Sequence, residues 1–201
     1  EEGLEALLSS NAQLGEEVAS SDYQVNTMEV DIDEQCTLIL ARRQPAASDL
    51  RLVISIIKTI TDLERIGDEA KQLGIYAIKL ADENSKPSLY AQLRHLGEHV
   101  KGMLHDALDA FARMDVDVAL EVVQREARLS EEFDSISRQL ILQMMEDPRQ
   151  IKTALNVHWC ARALERIGDH CVNICEYVVY LVKGRDVRHI SIDELIEELQ
   201  D

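Results

Sequence analysis

The sequence predicts an all-α fold of two tandem, repeated three-helix bundles, with most of the first helix of the first bundle expected to lie before Glu1. A repeated segment, a shortage of helix breakers and apolar residues at helical spacing lead to this prediction. Residues 63–68 and 164–169 both read Leu-Glu-Arg-Ile-Gly-Asp, and identity at this separation indicates an internal repeat. With three prolines and eight glycines among 201 residues, long helices are expected.

Apolar residues at intervals of three and four delimit the individual helices. Residues 1–10 correspond to the end of the first helix of the second copy. They are therefore expected to form only the end of the first helix of the first bundle. Ser88 is placed to cap one helix, and Gly184 is placed as the C-terminal cap of another. Five long helices are predicted, at about residues 12–43, 47–81, 88–114, 117–146 and 148–183.

The same repeat divides the chain into units. The first bundle spans residues 1–83, and residues 84–87 form a polar linker that ends in proline. The second bundle spans residues 88–184. A tail, residues 185–201, completes the chain, and its acidic end is expected to form a short helix or to fray.

Charge and cysteine usage exclude several classes of function. The net charge is −17, from 38 acidic and 21 basic residues, so the chain repels nucleic acid and anionic lipid. Partners are expected to be cations or basic protein surfaces. The four cysteines form no CxxC pair, which indicates reduced thiols. The sequence contains no signal peptide and no apolar run long enough to span a bilayer.

The repeated hexapeptide places two carboxylates on one side of a helix in each copy. Glu64 and Asp68 are four residues apart, as are Glu165 and Asp169, so each pair projects beside the apolar stripe. Like charges at this spacing repel each other, whereas two carboxylates can share a hard cation that prefers oxygen ligands. These four residues are therefore candidate metal ligands.

The alternative explanation of the hexapeptide is that duplication copied a packing helix. A glycine inside a helix costs about 1 kcal/mol relative to alanine, and close approach of a neighbouring helix would offset this cost. Arg65 lies away from the apolar stripe and is expected to pair with Asp62 or Glu69 at the surface. The packing and motif residues are then Arg65, Gly67, Arg166 and Gly168.

The preceding helix of each copy offers further oxygen ligands. Asp22 is followed four residues later by Asn26, and Glu126 is followed by Ser130 at the corresponding place. Facing the hexapeptide carboxylates, Asp22 and Glu126 would complete one cation site within each bundle. As isolated pairs they are equally typical of a solvated helix face.

Other residues with possible chemistry have more ordinary explanations. The pairs His95/His99 and Cys171/Cys175 have the spacing of helical metal ligands, but surface histidines and small buried cysteines are commoner. Trp159 is expected to anchor the core or an interface. Phosphate-binding loops, nucleophile elbows and ferritin-like Glu-x-x-His pairs do not occur in the sequence, so catalysis is not expected.

The repeated hexapeptides and several further segments resemble those of the PhoU family, over essentially the whole chain. The matching segments include Ala41-Arg42-Arg43-Gln44-Pro45 before the first hexapeptide and Asn173-Ile174 after the second. The others are residues 25–29, 47–51, 110–115 and 144–147. The resemblance implies the same fold of two three-helix bundles.

The resemblance also implies a function. PhoU-like proteins act at the cytoplasmic face of the phosphate-specific ABC transporter and link its ATPase subunit to a sensor histidine kinase. The expectation is a non-enzymatic negative regulator of phosphate uptake and of the phosphate-starvation response. It would be a homodimer in the cytoplasm, held peripherally at the inner face of the membrane by its partners, without membrane insertion or nucleic-acid binding.

Some family members bind iron or zinc clusters through (E/D)-x-x-x-D motifs on two helices of each bundle. The hexapeptide carboxylates match this motif, but Asn26 and Ser130 stand where the full motif has Asp. The resemblance thus implies a single divalent or iron cation in each bundle. The alternative functions are a carboxylate-rich helical metalloprotein, for metal storage or catalysis, and a helical adaptor without metal.

Overall fold

A computed structural model describes residues 1–81 and 87–187 together with residues 190 and 194, and side chains near the start of the fifth helix are described from Tyr90 onward. Within these ranges the chain is helical and contains no strand, which confirms the predicted fold class. The helices are α1 (Glu2–Ser9), α2 (Ala12–Ser21), α3 (Tyr23–Arg43), α4 (Ser48–Leu80), α5 (Pro87–Arg113), α6 (Val116–Gln124), α7 (Glu126–Glu146) and α8 (Ile151–Lys183), with a 3₁₀ turn at Pro148–Gln150. None of the helices described here is long and apolar enough to cross a membrane.

The same kind of turn connects the first and second helices in each of the two bundles. The first bundle contains α1 to α4, and the second contains α5 to α8. Ser10 and Met114 both have positive φ angles, of 53° and 56°, and the next residue in each case caps the following helix. The Asn11 side chain accepts a hydrogen bond from the Leu14 amide, and Asp115 accepts from the amides of residues 117 and 118. The repeat therefore extends to backbone conformation and capping.

The middle helix of each bundle is bent rather than continuous. The structure replaces the single helices expected over 12–43 and 117–146 with α2 and α3, and with α6 and α7. Asp22 and Arg125, at the two junctions, keep α-helical dihedral angles. The Val25 amide bonds to the Asp22 carbonyl, and the Arg125 amide to the Val122 carbonyl, so both junctions contain tightened turns. One such turn leaves the apolar spacing intact, and the sequence pattern did not show it.

Several helix ends lie at or near the predicted positions. Gly184 has a φ of 74° and its amide bonds to the Tyr180 carbonyl, which confirms the predicted C-terminal cap. The fifth helix begins at Pro87, the residue expected to end the linker. The rest of that linker, residues 84–86, lies outside the described residues. So does most of the predicted tail, including its acidic end.

The long third helices of the two bundles, α4 and α8, lie side by side and antiparallel. Glu69 on α4 pairs with Arg166 on α8, while Arg51 at the other end of α4 donates to the Leu181 carbonyl. The apolar core is continuous across this interface. Its members include Leu7, Ile66, Leu73, Leu93, Met103, Ile167 and Ile174. The two hexapeptides, midway along α4 and α8, therefore lie in the helices through which the two bundles contact each other.

Candidate functional site

The hexapeptide of the first bundle contributes to a cluster of acidic side chains. Glu64 is half-buried on α4, and Asp68 lies exposed one turn further along. Burial raises the pKa of Glu64, and the negative charges of Asp68, Glu29 and Asp22 raise it further. The structure therefore brings the predicted ligands Glu64, Asp68 and Asp22 together and adds Glu29 of α3. We call these four residues the first acidic cluster.

Asp22 is the buried member of the first acidic cluster. Its Oδ2 lies 2.9 Å from the Lys71 ammonium and 3.4 Å from the Asn26 amide nitrogen. Its Oδ1 is buried without a hydrogen-bond partner in the protein. A buried carboxylate oxygen without a partner is costly, and a cation would supply the missing interaction. Lys71 already neutralises part of the charge, which reduces the demand for a second cation.

The second bundle brings Glu126, Glu165 and Asp169 together, and we call them the second acidic cluster. Burial raises the pKa of Glu126, and the charge of Asp169 raises it further. Burial also raises the pKa of Glu165, where Asp169 acts in the same direction against Arg162. Burial raises the pKa of Asp169 as well. Each carboxylate thus destabilises the charge of another.

Basic residues are distributed differently around the second acidic cluster. Arg162 forms an ion pair with Glu165 on the outer side of α8. Val172 occupies the place on α8 that corresponds to Lys71 on α4, and it is buried. Ser130, the expected weak ligand, is exposed. The second cluster thus lacks the equivalent of Lys71 but has arginines beside it, since burial raises the pKa of Asp169 and the charges of Arg162 and Arg166 act to lower it.

Neither cluster is a preformed metal site. In residues 1–81 and 87–187, no group of three or more His, Cys, Asp or Glu residues is arranged to hold a metal ion. The donors present in the clusters are carboxylate oxygens, which suit hard cations. The unpartnered Oδ1 of Asp22 fits a cation in the first bundle, and the mutually repelling carboxylates fit one in the second.

The prediction that Arg65 pairs with Asp62 or Glu69 is wrong. Arg65 is exposed, as expected, but both carboxylates expected to pair with it point into the interface between the bundles. Asp62 accepts hydrogen bonds from His170 and Asn173 of α8, and Glu69 pairs with Arg166. Arg166 therefore connects the two bundles. These contacts join residues about a hundred positions apart, which helical spacing within one element cannot show.

Trp159 does not anchor the core, because 49% of its surface is exposed. It contacts the neighbouring His158 ring edge-on, and that ring in turn contacts Phe133. Cys171 and Cys175 are free and buried. Burial raises the pKa of the Cys171 thiol to about 12, and this opposes formation of the thiolate that metal binding requires.

The two hexapeptide glycines meet different surroundings. A methyl group added at Gly168 would overlap the Leu129 side chain of α7, whereas one added at Gly67 would have Val25 of α3 as nearest neighbour at 3.4 Å. The first position is tighter than any normal contact, and the second is ordinary van der Waals contact. A side chain at Gly168 would therefore displace the terminal Cδ2 methyl of the buried Leu129, whereas one at Gly67 would displace nothing.

Three residues near the acidic clusters were not part of the predicted motifs. Glu29 lies seven residues after Asp22, which is two helical turns along the same face. Asp134 lies near Glu165 and raises its pKa. Lys71 follows Asp68 by three residues. Continuing the helical spacing by one or two turns beyond each motif would have identified Glu29 and Lys71.

These features define a class of protein: an all-helical molecule of two repeated bundles, each with an acidic cluster between its second and third helices. The PhoU domain model matches residues 1–76 and 93–178. The chain belongs to the PhoU family. The two matched segments coincide with the two bundles.

Curated relatives match nearly all of the chain in sequence. It is 51% identical over 195 residues to the phosphate-specific transport system accessory protein PhoU homolog of Pseudomonas putida, covering 97% of this chain and 76% of the relative. It is 47% identical over 194 residues to the accessory protein PhoU of Escherichia coli (strain K12), covering 96% and 80%.

Two crystal structures show the same fold. PhoU from Pseudomonas aeruginosa matches with a TM-score of 0.89 and 50% identity, over 92% of this chain and 88% of that chain. The phosphate transport system regulatory protein PhoU from Streptococcus pneumoniae matches with a TM-score of 0.85 and 30% identity, over 92% and 87%. These similarities support an accessory role in the regulation of phosphate transport.

Proposed function

We propose that this protein restrains phosphate uptake and keeps the phosphate-starvation response off by binding two partners. The partners are the cytoplasmic ATPase subunit of the phosphate ABC transporter and a sensor histidine kinase. The observation that carries the proposal is similarity, over nearly the whole chain, to accessory proteins of the phosphate-specific transport system. Binding would occur at the cytoplasmic side of the membrane, where both partners expose their soluble parts.

An exposed apolar surface at one end of the second bundle supports docking. Large apolar side chains project from the end of α7 and the beginning of α8, on either side of the 3₁₀ turn at Pro148–Gln150. We call this the α7–α8 surface; it consists of Ile141, Leu142, Met145, Ile151, Leu155 and Trp159. Because the chain carries a net charge of −17, the complementary partner surface should be apolar with a basic rim.

A binding assay with purified components tests the proposal. The ATPase subunit and the cytoplasmic part of the kinase would each be titrated against this protein by biolayer interferometry. We expect a Met145→Ser/Trp159→Ser variant to bind at least one partner roughly tenfold or more weakly, since buried aromatic anchors dominate interfaces. Leu108→Ser on α5 is the matched control, because Leu108 is also exposed but lies elsewhere. If the wild-type protein binds neither partner, the proposed function is wrong.

The proposal includes a homodimer. The α7–α8 surface could also be covered by a second copy, and the two occupants predict different results. Sedimentation velocity of the wild type and of the Met145→Ser/Trp159→Ser variant separates them. A dimer that persists in the variant leaves the surface available for partners. A dimer that dissociates in the variant assigns the surface to self-association.

A cation in each bundle is the second part of the proposal. The unpartnered Oδ1 of Asp22 and the carboxylates of the second acidic cluster would hold one divalent or iron cation per bundle. Metal content would be measured in protein purified without chelator, comparing the wild type with Glu64→Ala/Asp68→Ala and with Glu165→Ala/Asp169→Ala. Loss of metal from one bundle at a time supports the sites, and equal metal content in all three proteins contradicts them.

The same partnerless oxygen favours the alternative function, a carboxylate-rich metalloprotein. Storage or redox catalysis would require several metal ions per chain and turnover with an added oxidant or reductant. A stoichiometry of one ion per bundle without turnover supports the regulatory module instead.

A further inference from the structure

Two histidines of α5 face one carboxylate of α7, away from both acidic clusters. The Nδ1 atoms of His95 and His99 each lie 3.3 Å from the same atom, Oε2 of Glu132. The histidines are one helical turn apart on α5, so both rings can reach one point on the neighbouring helix. The arrangement joins the first and second helices of the second bundle.

Both contacts are long for hydrogen bonds to a carboxylate. A charge-assisted bond between nitrogen and a carboxylate oxygen is about 2.7–2.9 Å long, and both contacts here are 3.3 Å. Ligand atoms about 2.0–2.2 Å from a tetrahedral Zn²⁺ lie roughly 3.3–3.6 Å from one another. Each of the two contacts therefore has the length of one edge of a tetrahedral zinc site.

A further oxygen donor lies beside this cluster. A cavity of about 130 Å³ is lined by Gln92, His95, Glu132, Ser135 and Ile136. Gln92 precedes His95 by three residues on α5, and its Oε1 is buried without a hydrogen-bond partner. The cavity is large enough for an ion and a water molecule, and Gln92, which lines it, carries an amide oxygen without a partner.

The two carboxylate oxygens of Glu132 have different partners. Arg128 lies 3.0 Å from Oε1, while the histidines face Oε2. Metal binding would require the carboxylate to be ionised and both imidazoles to be neutral at the coordinating nitrogen.

The three side chains do not yet have the geometry of a complete metal site. No group of three or more metal-binding residues in the described ranges already has the arrangement that holds an ion. The side chain of His99 is 13% exposed and fixed against α7, whereas that of His95 is 63% exposed. Rotation of His95, a rotamer change available to an exposed side chain, is the movement that would bring its nitrogen to the ion.

We propose that His95, His99 and Glu132 form a binding site for a zinc-class divalent cation, with Gln92 or water as the fourth ligand. Imidazole nitrogens favour Zn²⁺, Co²⁺ and Ni²⁺ over Mg²⁺ and Ca²⁺, so this site differs in selectivity from the acidic clusters. The bound ion would tie α5 to α7 and stabilise the second bundle by mass action.

Titration of the tag-free chain with Zn²⁺ tests the proposal. Isothermal calorimetry in excess Mg²⁺ and a thiol reductant would count zinc sites while the acidic clusters are occupied by Mg²⁺. We expect His95→Ala, His99→Ala and Glu132→Gln each to weaken one site about tenfold or more, and to abolish the rise in thermal unfolding midpoint that zinc produces. Co²⁺ bound to the wild type should show the visible absorption of a tetrahedral complex with nitrogen ligands.

Two further variants separate coordination from structural effects. His105→Ala removes another exposed histidine of α5 and should leave zinc binding unchanged. Arg128→Ala removes the cation that competes for Glu132 and should tighten binding. His95 is exposed, so its replacement should not unfold the protein, and far-UV circular dichroism checks this. Wild-type stoichiometry and affinity in His95→Ala and Glu132→Gln, or unchanged binding in Arg128→Ala, would overturn the proposal.

Discussion

The Nδ1 of His170 lies 2.7 Å from Oδ1 of Asp62, which joins the third helices of the two bundles. Both side chains are buried. The Asn173 side-chain amide donates to the same carboxylate oxygen at 3.0 Å. A buried carboxylate needs such donors, because an unpaired charge in the interior is strongly unfavourable. The interface between the bundles therefore combines an apolar core with a specific polar contact.

Removal of the imidazole should destabilise the protein. In His170→Ala, Asp62 keeps its other partners but loses its 2.7 Å hydrogen bond to His170, so we expect a loss of about 1–3 kcal/mol in the free energy of unfolding. Urea denaturation followed by circular dichroism measures the change. Arg65→Ala is the control, since Arg65 is exposed on α4 and should change stability by less than about 0.5 kcal/mol. Equal effects of the two substitutions would show that the contact contributes nothing.

The same carboxylate gives a pH dependence with a definite sign. Burial raises the pKa of Asp62, but hydrogen bonds from His170, Asn173 and Tyr177 outweigh it and hold the pKa below the ordinary value of 3.8. A group with a lowered folded-state pKa contributes stability above its unfolded pKa and loses it as the pH falls through the folded pKa. The contribution of Asp62 is therefore complete above about pH 4 and declines at lower pH.

Asp62→Asn should remove that contribution. We expect the difference in unfolding free energy between the wild type and Asp62→Asn to be largest at neutral pH and to shrink as the pH falls below about 4. Urea unfolding at several pH values between 2 and 7 measures it. A difference that is constant over this range would show that the charge of Asp62 does not differ in its interactions between the folded and unfolded states.

The elements that the sequence predicted well are those with local causes. The repeated hexapeptide, the Gly184 cap and the helix boundary at Asp115 depend on residues within a few positions of each other. The bends at Asp22 and Arg125 were not predicted, because a single tightened turn does not interrupt apolar spacing. Asp22 stands at the first bend and Glu126 directly follows the second, so two of the predicted ligands lie at bends that the apolar spacing did not show.

The interface between α4 and α8 was missed for a different reason. Its α4 face carries the polar residues Ser55, Thr59, Asp62 and Glu69, all buried. Their spacing of three, four and seven follows one helix face, but polar residues in such a stripe are ordinarily assigned to solvent. Only the docking of a second helix distinguishes the two cases. Likewise, Glu132 could not be associated with His95 and His99 from spacing, because it lies on another helix.

Neutralising one member of the second acidic cluster should stabilise the protein at neutral pH. Burial and Asp169 raise the pKa of Glu126, and an acid with a raised folded-state pKa destabilises the fold while it is ionised. We expect Glu126→Gln to be more stable than the wild type at pH 7, on the order of 0.5 kcal/mol, as for other like-charge contacts. The advantage should disappear below about pH 4.5, where the wild-type carboxyl is protonated in both states.

Added divalent cations should make the wild type more stable than Glu126→Gln. If the second acidic cluster binds a cation, adding Mn²⁺ or Mg²⁺ stabilises the wild type more than Glu126→Gln. Thermal unfolding of both proteins with and without the cation makes the comparison. Glu121→Gln is a suitable control, because Glu121 is exposed on α6. A Glu126→Gln variant that is less stable than the wild type without added cation would contradict the like-charge interpretation.

The glycines of the repeated hexapeptide should respond differently to the same substitution. Gly168→Ala places a methyl group into the Leu129 side chain, and overpacking of this kind costs about 1–3 kcal/mol. Gly67→Ala meets Val25 at 3.4 Å and Oδ1 of Asp22 at 3.6 Å, both ordinary contacts, so the gain in helix propensity of up to about 1 kcal/mol is not offset by overlap. Urea denaturation of the two variants should therefore give changes of opposite sign, or a loss at Gly168 with no change at Gly67.

Gly102→Ala on α5 calibrates this comparison. Nothing lies within 4 Å of a methyl group added there, so the variant should report helix propensity alone and gain up to about 1 kcal/mol. Subtracting its effect from that of Gly168→Ala isolates the packing cost between α7 and α8. If Leu129 instead moves aside without cost, Gly168→Ala and Gly102→Ala will be equally stabilising. In that case close packing against Leu129 does not account for the glycine in the second hexapeptide.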